Sequence, residues 1–173
     1  FGFKLAKGFF VAFLDDDDFW KENKIYEQVN YFNISNFDII SCNFEYRKYF
    51  QNFKSNISNY ISLNKLLDSN YLGGVSGILI KKSSFDINIF DNKFPSCQDW
   101  DFWIRNLLDK KKIIILQSNL YKYTVHSNNK ITNNLNNSYK GRLLFFLKYR
   151  RNFDADLRKK KIYELLIIRN IIN

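Results

Sequence analysis

At 173 residues with 46% hydrophobic content, the chain has the length of one ordinary domain and enough apolar surface for a core, which excludes a disordered polymer. No uninterrupted apolar run approaches the roughly 20 residues needed to cross a bilayer, and two cysteines, Cys42 and Cys97, are too few for a disulfide framework and fit no metal-ligand spacing. The net charge of +10 is lopsided: from Tyr139 onward there are ten Lys or Arg against three Asp or Glu, which leaves +3 for the rest and marks the tail as the segment for an acidic partner.

The opening residues, Phe1 to Gly8, carry neither the basic flank and apolar run nor the cleavage site of a signal peptide. The chain also contains no Met, which suggests a fragment. Phe9 to Leu14 reads as a strand buried on both faces, with Asp15 at its carboxyl end. From Trp20 to about Phe32 the apolar positions Trp20, Ile25, Val29 and Phe32 fall roughly on one face, predicting a helix with Asp17 or Asp18 as its N-cap. Asp38 to Tyr46 reads as a second strand, and Ser62 to Ser69 as a short helix capped by Ser62.

Gly73-Gly74-Val75-Ser76-Gly77-Ile78-Leu79-Ile80 joins backbone freedom to an apolar strand, so something is expected to approach the chain near the glycines. Asp99 to about Lys110 is predicted as a helix with Phe102, Trp103 and Leu107 turned inward. Lys112–Leu116 and Leu120–Val125 look like two further strands, and residues 128–137 form an Asn-rich loop. Two helices close the chain, at about Tyr139 to Arg151 and Asp154 to Ile172. The alternation of strands and helices predicts an α/β layered sheet with ligands at the carboxyl ends of its strands, where Asp15 to Asp18 stand.

Four consecutive carboxylates repel one another and cost stability unless a cation or hydrogen-bond donors compensate. Such a density of oxygen suits Mg2+ or Mn2+, held by one or two carboxylates with substrate phosphates completing the shell. The bland alternative is a solvated acidic loop capping the following helix. A haloacid-dehalogenase-type phosphatase also places aspartates after a strand, but the Phe19-Trp20 that follows does not fit one.

The pattern Gly2-x-x-x-Ala6-Lys7-Gly8-x-x-Val11-Ala12-Phe13-Leu14-Asp15-Asp16-Asp17-Asp18-Phe19-Trp20, with Lys24-Ile25 and Gln28 after it, resembles the signature of family 2 glycosyltransferases. A second stretch, Pro95-Ser96-Cys97-Gln98-Asp99-Trp100-Asp101-Phe102-Trp103-Ile104-Arg105, resembles that family's acidic pair opening an aromatic-rich helix that ends in Arg. The resemblance spans roughly Gly2 to Leu143. It implies an α/β fold of the GT-A, Rossmann-like kind, a mixed sheet flanked by helices, without its first strands and with a helical tail. The partial GT-A domain is expected over residues 1–136 and the basic helical tail over 137–173.

The same resemblance implies an inverting, nucleotide-sugar-dependent glycosyltransferase acting on a surface-glycan or lipid-linked acceptor, with UDP the expected carrier and Mn2+ or Mg2+ the cofactor. Asp15 and Asp17 match the DxD carboxylates that bind donor and metal, Asp17 being the more direct metal ligand; Asp18 is grouped with donor binding, although a helix cap suits it better. Asp99 matches the general base, while Gln98 departs from the acid common at its position and puts any acceptor contact there in doubt. His126 matches a residue near metal and diphosphate. Gly73, Gly74, Trp100 and Arg105 lie on the acceptor side of the pattern. Trp100 or Trp103 could offer a sugar-stacking face, but aromatics at helical spacing are more often core, and Arg105 could simply pair with Asp101.

The two unpaired cysteines read as reduced thiols of a cytoplasmic protein, and the basic tail, whose charge more commonly means a solvated helical face, could instead lie against anionic headgroups on the inner face of the membrane. Nucleic acid is not expected as a partner, because the aromatics lack the ordered spacing of a stacking platform. The alternative to an enzyme is a catalytically silent fragment or a membrane-surface or scaffold binding module.

Overall fold

The computed structural model describes residues 2–34, 36–46, 61–86, 89–124 and 134–172, with residue 46 described by its backbone. Two compact units emerge. The first comprises residues 1–61, 74–89 and 106–125, and the second residues 62–73, 90–105 and 126–173.

The first unit is built on a five-stranded mixed sheet: β1 (Phe10–Ala12), β2 (Phe19–Trp20), β3 (Ile39–Tyr46), β4 (Leu79–Lys81) and β5 (Ile113–Tyr123), in the order β1-β4-β3-β5-β2. β3 and β5 run parallel, from Ile39 opposite Ile113 to Tyr46 opposite Tyr123, with the register shifting on either side of Asn43. The other pairings are antiparallel. Ile40, Cys42, Leu116, Leu120 and Tyr121 form a buried cluster on which Trp20, Phe32, Phe37 and Phe44 pack.

β1 is not the doubly buried strand expected at residues 9–14. It is a three-residue edge strand in which Val11 alone is buried, and Phe9 just before it is 90% exposed. The helix expected from Trp20 starts later, as α2 (Lys24–Ile34), because Phe19 and Trp20 pair with Lys122 and Tyr121 of β5. Neither Asp17 nor Asp18 caps it.

The inward face of α2 also differs from the apolar one expected. Lys24 and Gln28, one turn apart, are fully buried, while Ile25 is exposed. The reason lies in unpaired backbone: the Gln28 amide donates to the carbonyls of Ile40 (2.9 Å) and Gly77 (2.8 Å), and its Oε1 accepts from Lys24 Nζ at 2.7 Å. A leucine at either position would leave those groups unsatisfied. The two strands expected between Lys112 and Val125 are one continuous strand, β5. A short α1 (Gly2–Leu5) precedes β1.

The second unit is helical: α3 (Leu63–Asp68), the start of α4 (Gln98–Leu108), α5 (Leu135–Tyr149) and α6 (Ala155–Ile172). Ser62 caps α3 as expected, its hydroxyl accepting from the Lys65 N–H. α5 begins earlier than expected, Asn134 capping it through the Asn137 N–H. Trp100 stacks on Phe145 with ring centroids 4.0 Å apart, and its indole N–H donates to the Leu66 carbonyl at 2.6 Å. Inside the same unit Asp101 is fully buried and takes charge-assisted contacts from Arg105 Nε (2.7 Å) and Lys148 Nζ (2.7 Å), with the Tyr149 hydroxyl at 2.6 Å. Burial first, then this carboxylate, pushes the Tyr149 phenol well above its usual range.

Candidate active site

In the first unit the aspartates follow β1 as a tight turn, the Asp15 carbonyl accepting the Asp18 N–H at 3.1 Å. Asp15 is exposed, Asp17 half-buried and Asp18 buried. The turn is held from the segment ahead of β4, a single turn of 3-10 helix over Val75–Gly77. Ser76, fully buried, accepts the Asp15 N–H on its hydroxyl at 3.1 Å and the Trp20 indole N–H on its carbonyl at 2.8 Å. One residue thus fixes both ends of the aspartate turn. Gly74 lies against it: a Cβ there would stand 3.6 Å from Asp15 Oδ2, an ordinary contact.

Asp18 is not a helix cap. Its carboxylate accepts the Thr124 N–H at 3.0 Å, tying the turn to the end of β5. The Thr124 hydroxyl is itself buried without a hydrogen-bond partner among the described residues. His126 lies outside the described residues.

The donors this turn offers are hard carboxylate oxygens, the chemistry that Mg2+ and Mn2+ favour. Among the described residues no group of three His, Cys, Asp or Glu is placed to hold a metal on protein ligands alone. Asp15 and Asp17 are the carboxylates of the turn that would be the protein's share of such a site, with phosphate to complete the shell.

In the second unit Asp99 stands in the first turn of α4. Cys97 adopts a left-handed backbone conformation (φ 66°) and its carbonyl accepts the first helical bond, from the Asp101 N–H at 2.9 Å. The chain thereby turns into the helix so that Asp99 can fold back on it: Oδ1 accepts the Trp100 N–H at 2.8 Å, and Oδ2 accepts from Asn70 Nδ2 at 2.8 Å. Burial raises the Asp99 pKa above the usual carboxylate value, with the Trp100 and Asn70 hydrogen bonds working in the opposite direction. The result is a carboxylate held in one orientation with raised basicity, as a general base requires.

Other acceptor-side candidates prove structural in their contacts. Trp100 and Trp103 are both buried, in keeping with the core reading of aromatics at helical spacing. Arg105 pairs with Asp101, and the Gln98 amide donates to the Phe94 carbonyl at 2.9 Å. Gly73, with φ 77°, makes a left-handed turn whose carbonyl accepts from the Trp103 indole at 3.2 Å and from Asn70 at 3.3 Å. Asn70 was not visible from sequence. A lone Asn ahead of a Gly-Gly pair signals a turn, and nothing in the residue order names a carboxylate 29 positions on as its partner.

Residues 1–94 match Glycosyl transferase family 2. The chain belongs to this family. A comparison with curated proteins gives no match. Among solved structures the chain is similar to S. aureus TarS residues 1–349 in complex with UDP-GlcNAc, at a TM-score of 0.61 and 15% identity, covering 95% of this chain and 49% of that one. A second S. aureus TarS structure is matched at a TM-score of 0.61 and 16% identity, over 95% of this chain and 29% of that one. TarS 1–349 in complex with UDP gives 0.57 and 16%, over 95% and 48%. The chain thus spans about half the length of the TarS 1–349 structures. The likeness gives the fold: a GT-A-like mixed sheet flanked by helices. With the family match over residues 1–94 it makes this a family 2 glycosyltransferase domain.

Proposed function

We propose that the protein transfers a sugar from a nucleotide donor, UDP-linked as in the TarS complexes, to a surface-glycan or lipid-linked acceptor with inversion at the anomeric carbon. The observation that carries this reading is Asp99: a carboxylate with one donor on each oxygen and a pKa raised by burial. Asp99 takes the proton of the acceptor hydroxyl as that oxygen bonds to the anomeric carbon. The bond from that carbon to the diphosphate breaks, and its electron pair leaves with the nucleotide. Asp15 and Asp17 would hold a divalent ion, which would stabilise the charge that develops on the departing diphosphate. The Ser76 contacts keep that turn in place before any ligand arrives.

The test is a titration of UDP with and without Mn2+. Binding should need the metal and vanish in Asp17→Ala, while Asp99→Asn should bind donor normally and lose transfer. Metal-independent binding, or transfer retained in Asp99→Asn, would sink the assignment.

A second reading concerns placement. α6 exposes Ile162, Tyr163, Leu166, Ile167 and Ile171 in a chain segment rich in Lys and Arg, and no described helix is long and apolar enough to cross a membrane. The exposed apolar residues and the neighbouring cations support contact with anionic lipid, where apolar side chains enter the interface and cations meet headgroups. Co-sedimentation with anionic but not zwitterionic vesicles tests it.

A further inference from the structure

Resting on the reading of Asp99 as the base, we propose that Asn70 is its positioning residue, a neutral donor that fixes the Asp99 carboxylate without neutralising it. The bond from Asn70 Nδ2 to Asp99 Oδ2 is 2.8 Å, and the same nitrogen reaches the Gly73 carbonyl at 3.3 Å. Both hydrogens of the amide are thereby committed.

Asn70 Oδ1, by contrast, is buried with no hydrogen-bond partner among the described residues. An unmatched buried oxygen is costly, and turning the amide over would point that oxygen at an ionised carboxylate. The side chain is therefore set by what it donates. Asp99 and the Gly73 carbonyl both call for a donor here, and the orientation is the one an ionised Asp99 favours.

The platform under Asn70 is stiff. Ser69 closes α3 through its N–H to the Lys65 carbonyl at 3.0 Å, and the Tyr71 N–H bonds to the Ser69 carbonyl at 2.9 Å. After the left-handed Gly73, the buried Trp103 indole clamps that residue's carbonyl at 3.2 Å. The turn over residues 69–73 is thus tied at its start to α3 and at its end to the helix that carries Asp99.

The chemistry of the donor matters. A Lys or Arg in this place would hold Asp99 equally well but would lower its basicity, which a proton acceptor at neutral pH cannot give up without loss of rate. Of the titratable groups nearby, the Cys97 thiol is close enough to feel the Asp99 charge. Burial raises the pKa of that thiol, on which Arg142 and Lys161 also act. No cation contributes to the shift at Asp99 itself. Trp100 N–H and Asn70 each hold one carboxylate oxygen, and the Asp99 backbone N–H acts on the same group, so every donor on this carboxylate is neutral.

The experiment is a carbon-13 NMR titration of the Asp99 carboxyl, assigned by Asp99→Asn, in the native chain, Asn70→Ala and Asn70→Asp, paired with the pH profile of donor turnover. Loss of the donor should move the Asp99 midpoint further up. It should also lower kcat at neutral pH by about tenfold or more with donor KM unchanged, and part of the rate should return as pH rises. Should Asn70→Ala fail to fold, Asn70→Asp keeps the shape and exchanges the donor for a second carboxyl, which must also raise the midpoint. An Asp99 midpoint unmoved in every folded variant overturns the role of Asn70 and leaves the base standing. Full turnover in Asp99→Asn overturns the base itself, even where the titration shift is found.

Discussion

Lys24 offers a measurement that needs no substrate. Its ammonium is fully buried, hydrogen-bonded to Gln28 Oε1 at 2.7 Å and 4.4 Å from the centre of the Trp20 ring. Burial lowers its pKa from 10.5 to about 8. Because the folded value lies below the unfolded one, the unfolded chain binds more protons between them, and stability rises with pH across that window. Below about pH 8 the full cost applies, about 3 kcal/mol from a shift of that size. Between about pH 7 and pH 9 somewhat more than 1 kcal/mol of it should be recovered. The Cys42 thiol, raised by burial to about 12, acts in the opposite sense at higher pH, so the comparison belongs at or below about pH 9. Lys24→Met keeps length and removes the charge. It also strands the Gln28 oxygen, a loss of about 1–3 kcal/mol, and removes a cation–π contact of roughly 0.5–2 kcal/mol. At neutral pH these losses nearly offset the relief, so the variant should match the native chain to within about 1 kcal/mol and fall behind it as pH rises. Urea unfolding at both pH values gives the two differences. If they are equal, the buried ammonium is not the source of the pH dependence and the reasoning fails.

Other outcomes follow from the same contacts. Gly141→Ala should lower the melting temperature through a loss of about 1–3 kcal/mol, since a Cβ there would stand 2.1 Å from Ser96 Oγ and 2.6 Å from its carbonyl oxygen. Asp101→Asn leaves Lys148, Arg105 and Tyr149 without their shared anion and should cost about 1–3 kcal/mol in thermal unfolding. Cys42, buried and with its pKa raised to about 12, should resist alkylation at about pH 8 until the chain unfolds, as intact-mass analysis over increasing urea would show. Ser76→Ala removes the acceptor of the Asp15 N–H and should weaken Mn2+-dependent UDP binding by about tenfold while circular dichroism stays unchanged.

What could be read from residue order was local. The aspartates after an apolar run, the Ser62 cap, the β3 segment and the acidic opening of α4 all announce themselves through neighbours within a turn or two. What could not be read was decided at a distance. Phe19 and Trp20 look like the start of a helix until Lys122 and Tyr121 pair with them. Lys24 and Gln28 look like a solvated face until the carbonyls of Ile40 and Gly77 need a donor. Asp18 has the composition of a helix cap, yet the N–H it serves belongs to Thr124. Asn70 and Ser76 owe their placement to partners that no periodicity encodes.

The parallel pairing of β3 with β5 bears on how the first unit assembles. Ile39 meets Ile113, and Phe19 meets Lys122, so β3 gains its parallel partner, and β2, which follows the aspartate turn, its pairing with β5, only after most of the chain between them is in place. Closing so long a loop is entropically slow, and contacts of this range form late. On a ribosome, residues up to about 110 would emerge with β3 lacking its parallel neighbour, and the turn, with its Ser76 contacts already available, would lack its ties to Lys122 and Thr124 until β5 followed. Substitutions that weaken β5 should therefore show first as slow or failed acquisition of ligand binding, well before any loss in the helices of the second unit.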